Sequence, residues 1–448
     1  MRFQPILFWL LMALVALAPL PLGANRPWAL ALLSLAAGTL LMFWTLGSTL
    51  KAYNVALPLS RVAPIALPFF AVLAWGFAQM SGLTPAAWDH PIWDAAANAG
   101  AAITVNKYET ATALMRLLAY GAVFWLALNL GRAPHRAYRA LYVFALVSLA
   151  YAVYGLLVQF QGWRTILWFD KWAYETDLTS TFVNRNNYAT FAGLGLVVAV
   201  GLIFQEYRGV LSSRFDARKS MLFIFDSVTP RLAILLIAVT ALVSAILLTH
   251  SRAGLIAALS GLVVLCVTYA FTRIANTKRT LIISTVVAGL GVSFFMLSGE
   301  AVSNRMTQLD GSLGDRMHIY QLVADKIAER PWTGVGYGNF LDVSWTIRDE
   351  TLTGYWDKAH NSYLETALEL GIPAAALLAL AILIAAGVCL YGAVTRNREE
   401  IFPVIGVAAT VTVGVHSLVD FSLQIPAVAV AFALILGIAY AQAWSSDR

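Results

Sequence analysis

The sequence predicts an all-α integral membrane protein of about twelve transmembrane helices, with one long outer loop that carries amphipathic helices of its own. Three observations predict it. The 448 residues are 60% hydrophobic and 12% charged, with a mean hydropathy of +0.72, where a soluble domain carries roughly 25% charged residues. The apolar runs are about 20 residues long and apolar all round, which suits helices and not the alternating strands of a barrel. Between the runs, Lys and Arg crowd alternate loops, the pattern of a chain whose cytoplasmic loops are positive.

Taken in order, the apolar runs centre on 5–22, 27–47, 62–81, 111–130, 138–160, 187–206, 230–249, 252–272, 280–298, 370–392, 402–420 and 426–444. The first, beyond Arg2, resembles a signal peptide but reads as a retained helix. With the N-terminus inside, cytoplasmic loops hold Lys51 and Arg61, then Arg132, Arg136 and Arg139, then Arg208, Arg214, Arg218, Lys219 and Arg231, then Arg273, Lys278 and Arg279, and last Arg396 and Arg398. The short outer loops hold fewer: Arg26, Lys107, Arg164, Lys171, Arg185 and Arg252. This divides the chain into 1–298 with nine spans, 299–361 as the outer loop, and 362–448 with three spans. Cys266 and Cys389 both lie in apolar runs, so no disulfide framework is indicated. The formal charge of +6 is accounted for by loop asymmetry and requires no nucleic acid partner. No internal repeat or low-complexity tract is visible.

The outer loop has its own signals. Asp315 can cap a helix running to Arg330, with Ile319, Val323 and Ile327 on one stripe. Such helices are expected to lie on the outer face with that stripe in the lipid interface. Pro331 ends the helix, and Gly334-Val335-Gly336-Tyr337-Gly338 makes a glycine-rich turn. It lacks the Lys-Ser/Thr and the preceding strand of a phosphate loop, so a nucleotide site is not indicated. Ser362-x-x-Glu365 fits a capping box for a second helix. Trp332, Trp345, Tyr355 and Trp356 suit the headgroup level or stacking on sugars.

Three basic side chains fall at the outer edge of the hydrocarbon. Arg185 stands among Asn184, Asn186 and Asn187 just before the sixth span. Arg252 stands at the turn between the seventh and eighth. His360 ends the outer loop in Ala359-His360-Asn361-Ser362-Tyr363. Charge at the edge of hydrocarbon is costly unless paired, liganded or snorkelling. An anchoring role is the bland alternative for each Arg, and a capping role for His360. Arginine suits bidentate phosphate recognition, and a histidine at a lipid–water boundary suits acid–base chemistry near neutral pH. His250 reads as a packed residue, His318 as solvated, and His416 with Asp420 as a helix–helix contact inside span eleven. Arg316, one turn into the loop helix, is a second-rank candidate for the same cavity. No His-x-x-x-His or Asp-x-Asp spacing suggests a metal site.

Four motifs in order, VNRNN (183–187), SRAG (251–254), ERPWTGVGYGNF (329–340) and AHNSYLETALELGIP (359–373), resemble the O-antigen ligase superfamily, which includes O-antigen and exopolysaccharide polymerases of the bacterial inner membrane. The resemblance covers residues 180–375 by motif and the rest by hydropathy. It implies transfer of a glycan from an undecaprenyl-diphosphate carrier to an acceptor hydroxyl on the periplasmic side. Arg185 and Arg252 then correspond to diphosphate-binding arginines and His360 to the catalytic loop histidine, with Arg316, Asn361, Tyr363 and Asn184 as further substrate contacts. No cofactor and no metal are implied. The acceptor is lipid A-core oligosaccharide in a ligase and a second lipid-linked repeat unit in a polymerase. A polysaccharide flippase or secondary transporter is the rival from another class; it would favour two similar halves, which the sequence does not show.

Overall fold

A computed structural model describes residues 3–51, 53–95, 100–208, 229–273, 300–349 and 356–445. The expected ninth span, 280–298, and Tyr355 lie outside these residues. The helices are α1 (Phe3–Leu17), α2 (Pro27–Thr49), α3 (Leu59–Met80), α4 (Lys107–Leu130), α5 (Pro134–Phe160), α6 (Arg185–Glu206), α7 (Pro230–Leu248), α8 (Arg252–Ala270), α9 (Glu300–Glu329), α10 (Phe340–Ile347), α11 (Ser362–Leu370), α12 (Ile372–Thr395), α13 (Ile401–His416) and α14 (Pro426–Ala443). A two-residue hairpin, β1 (Thr165–Ile166) and β2 (Phe169–Asp170), sits between α5 and α6. Among the described residues nine helices, α2 to α8, α12 and α14, are long and apolar enough to cross a membrane. Two further apolar stretches, Gln4–Leu17 and Ile401–His416, are shorter.

Burial sorts these helices into a centre and a rim. The apolar windows of α14 and α6 are 100% and 89% buried, against 22% for α12 and 28% for α3. Helices that are apolar all round and still expose Leu35, Met42, Leu67 or Leu383 have only hydrocarbon to face. In a bilayer, lipid is as apolar as leucine, so packing relies on small residues that let backbones approach. Gly437 in α14 is such a residue: a Cβ there would lie 2.5 Å from the Phe124 carbonyl of α4.

The long polar segment before α12 folds, in its described residues, around a core of its own. Ile319, Val323 and Ile327 of α9 pack with Val335, Phe340, Val343, Ala359 and Leu368. The expected stripe is therefore present, but it is buried in protein and does not face the lipid interface. The helix also starts earlier than expected. Asp315 lies inside α9, not at its N-cap, because helical structure continues back to Glu300. The glycine-rich turn fixes this unit to the bundle. Val335 N–H donates to Leu368 O (3.1 Å), Gly336 N–H to Glu369 O (3.0 Å), and Val105 N–H to Val335 O (2.9 Å). Gln79 of α3 donates to the Thr333 and Glu369 carbonyls and accepts from Tyr337 N–H. Gly334 has φ +65°, and a Cβ there would collide with the Glu369 backbone, so the turn requires glycine.

Candidate active site

Two helix starts stand side by side at one end of the bundle. Arg185 is the first residue of α6 and Arg252 the first of α8. Asn184 caps α6, its side chain accepting from Asn186 N–H at 2.8 Å, and Ser251 caps α8, its hydroxyl accepting from Gly254 N–H at 3.0 Å. The two helices run parallel, as their contacts show. Gly254 abuts Ala189, Gly193 lies under Ala258, and Gly261 lies against Val197. A Cβ at Gly254 would clash with Ala189, so this glycine sets the close approach of the two starts. Each start contributes unpaired backbone N–H groups and the positive end of a helix dipole. Two such ends, each led by an arginine, have the chemistry to receive an anion.

Asp177, in the loop before α6, joins the arginine of one start to the turn that leads into the other. Its Oδ2 accepts from Arg185 Nη1 at 2.6 Å, and its Oδ1 lies 2.7 Å from His250 Nδ1. Leu178 N–H donates to Leu248 O at 3.0 Å, holding this loop on the end of α7. Burial opposes the charge on Asp177, but the contacts with His250 and Arg185 outweigh it and hold the carboxyl below its ordinary range. Tyr174 lies under the Arg185 guanidinium, 5.3 Å from its ring centroid. Among the described residues Arg185 Nε has no hydrogen-bond partner, and Arg252 is exposed.

His360 occupies a drier corner. Its side chain is only 18% exposed and sits between the rings of Trp356 and Phe421. Its carbonyl accepts from Tyr320 O–H at 2.8 Å, and its backbone has φ +52°, a costly conformation for a residue other than glycine. Glu365 holds the preceding residue, its Oε2 accepting from Ala359 N–H at 2.8 Å while Oε1 takes Lys358 Nζ at 3.2 Å. Nδ1 of His360 is 3.8 Å from Asp420 Oδ1. Asp420 itself is fully buried, accepting from Asn186 Nδ2 and from Phe421 N–H. Burial lowers the His360 pKa below its ordinary value; Asp420 opposes that shift and Arg316 adds to it.

The two corners are continuous. Asn186, next to Arg185, bonds Asp420, which faces His360. Tyr174 feels Asp420 and Arg316 as well as Arg185 and Asp177, and burial raises its hydroxyl pKa. The fold thus brings Arg185, Arg252, Arg316 and His360 to one end of the bundle.

Other expected positions differ. Arg316 approaches the Val419 carbonyl at 3.4 Å. Asn361, not Ser362, caps α11, its side chain accepting from Tyr363 and Leu364 N–H; Ser362 donates to the Asp420 carbonyl and Glu365 turns back to Ala359. The Tyr363 hydroxyl donates to Gly414 O at 2.9 Å. His250 is not packed inside: its side chain is 48% exposed and paired with Asp177. His318 is paired with Asp349. His416 and Asp420 do not meet in a span, because α13 stops at His416; His416 bonds Ser422, and Asp420 stands in the turn beyond. Sequence reasoning did not find Asp177 or Tyr174. The sequence offered no signal that singles out Asp177, since the same loop also carries Arg164, Asp170, Lys171 and Glu175. Among the described residues no group of three His, Cys, Asp or Glu side chains is arranged to hold a metal ion.

Residues 234–379 match the family described as O-Antigen ligase. The match runs from the first turns of α7 into α12 and takes in Arg252, Arg316 and His360; Asp177, Arg185 and Asp420 lie outside it. No curated protein matches the chain. With its membrane-length helices, the chain is a multi-pass membrane protein whose residues 234–379 are similar to the O-antigen ligase family, a match that implies a glycosyl-transferring enzyme.

Proposed function

We propose that this enzyme moves a glycan from an undecaprenyl-diphosphate carrier to an acceptor hydroxyl at the periplasmic face of the bacterial inner membrane, as an O-antigen ligase does with lipid A-core oligosaccharide. The observation that carries this reading is the pair of arginine-led, parallel helix starts on the same end of the bundle as a buried histidine. A sugar linked to diphosphate has its leaving group already in place. The enzyme must stabilise the departing charge and remove a proton from an alcohol. Arg185, Arg252 and the two helix starts do the first through preorganised, charge-assisted hydrogen bonds. They supply the positive charge that a divalent metal gives in other phosphate chemistry.

His360 does the second. A ring kept neutral by burial is ready to accept a proton near neutral pH, and Asp420 stabilises the imidazolium as it forms. Nδ1 lies 3.8 Å from Asp420 Oδ1, and Nε2 is the nitrogen assigned to the acceptor hydroxyl. Attack opposite the diphosphate inverts the anomeric centre. The positive-inside pattern of the loops supports an outward orientation for this end of the bundle.

Purified enzyme with labelled lipid-linked oligosaccharide tests the reading. A labelled product on lipid A-core supports a ligase. Product formed on a second lipid-linked unit reassigns the acceptor and makes it a polymerase. Protein-dependent movement of the carrier across liposomes without product overturns the enzyme reading in favour of a flippase.

A further inference from the structure

His250 has no part in the reading above, although it stands next to Arg252 in the turn between α7 and α8. Its backbone is held at φ +51°, a costly conformation for a residue other than glycine. The turn is fixed around it: Ser251 N–H donates to Thr249 Oγ1 at 3.1 Å, and Ser251 caps α8. The effect is to carry the imidazole outward. Nδ1 meets Asp177 at 2.7 Å, while the side chain stays 48% exposed. Nε2, on the opposite side of the ring, bonds nothing among the described residues. A tether that only closed the turn on the loop would need neither an exposed ring nor a second ring nitrogen left without a partner.

Asp177 shows what the surrounding groups bind. It is a carboxylate with one oxygen on Arg185 and the other on His250. It fixes the ring so that Nδ1–H points to Asp177 and Nε2 points away, which is how a carboxylate orients an imidazole that works on another ligand. Arg252 follows two residues after His250, as the first residue of α8.

We propose that His250, with both ring nitrogens protonated, is a third ligand of the diphosphate, Nδ1–H donating to Asp177 and Nε2–H to a phosphate oxygen, with Asp177 as its positioning residue. This rests on the lipid-diphosphate reading of the site. The diphosphate then lies between Arg185, Arg252 and His250, and Asp177 holds two of the three.

The test is calorimetric titration of farnesyl diphosphate, a short soluble prenyl diphosphate, into the full chain in lipid nanodiscs. The variants are His250→Asn, His250→Gln, Asp177→Asn and Arg252→Ala. The expected result is that His250→Asn weakens binding about tenfold, the worth of one charge-assisted hydrogen bond. His250→Gln should lose less, since its amide can stand where Nε2–H does, and Asp177→Asn should weaken binding in the same direction. A purely structural role would lower the fraction of competent protein, and so the stoichiometry, while leaving the affinity unchanged. That pattern in His250→Asn and His250→Gln, with Arg252→Ala still weakening binding, overturns the role of His250 and leaves the diphosphate site standing. No binding by wild type, or binding indifferent to Arg252→Ala, overturns the site and this inference together.

Discussion

The two corners of the site are built by opposite means. At the α6–α8 starts the charged groups are partly open: Arg185 keeps 29% of its side chain exposed and His250 48%, and each is paired with Asp177. At His360 the ring is enclosed by Trp356 and Phe421, and its carboxylate stands off at 3.8 Å with no exposure at all. The open corner is suited to exchange: a lipid-borne diphosphate can enter where cations keep contact with water. The dry corner is suited to proton transfer, because desolvation keeps the imidazole neutral and makes the nearby carboxylate felt strongly when charge develops. In the proposed reading, binding and chemistry are linked through Asn186 and Asp420.

Substitutions in the two corners should therefore fail differently. His360→Ala should show the largest effect, a loss of transfer of roughly a hundredfold or more with donor binding retained. A binding assay beside a single-turnover assay checks this, and weakened donor binding would join the corners that the account separates. Arg185→Lys and Arg252→Lys should each lose at least about tenfold, because an ammonium cannot replace a fork that takes two oxygens. Their loss should appear in donor affinity and in the rate of transfer; near-normal affinity together with near-normal turnover would make both residues membrane anchors.

Asp420→Asn should cost about tenfold, since a neutral amide stabilises the forming imidazolium less. It should also move the pH profile in a definite direction. Asp420 raises the His360 pKa, so its removal lets burial and Arg316 push that pKa lower still. The rate, which rises as His360 loses its proton, should then reach its plateau at lower pH than in wild type. A shift to higher pH would mean another group titrates. Glu365→Gln should cost only a few-fold, by loosening the Ala359 contact that presents His360. Chelation of divalent metal should have the smallest effect, none; loss of turnover restored by magnesium would contradict the arginine pair.

The membrane helices were legible because hydrocarbon imposes a length and an all-round apolar character. The arginines were legible as residues at span edges. What was not legible is that they begin neighbouring parallel helices, since the Gly254–Ala189 approach lies 65 residues apart in sequence. Asp420 was misplaced for a local reason. The apolar pattern continues past His416, but the helix stops there, and the turn frees Asp420 to face the loop. The Ser362–Glu365 pattern misled in the same way: Asn361, one residue earlier, supplied a better cap, and Glu365 found Ala359 N–H. The burial of Ile319, Val323 and Ile327 in a loop core needed partners, among them Phe340 and Ala359, that no periodicity connects to them.

The most direct test of the division between a binding corner and a dry catalytic corner is single-turnover transfer across pH at saturating lipid-linked donor. The account predicts that the wild-type rate rises with pH and levels off, with a midpoint below the ordinary imidazole value of about 6.5. It predicts that His360→Ala is flat at about a hundredth of that plateau or less. A wild-type rate indifferent to pH, or a His360→Ala rate above about a tenth of the plateau, would contradict it.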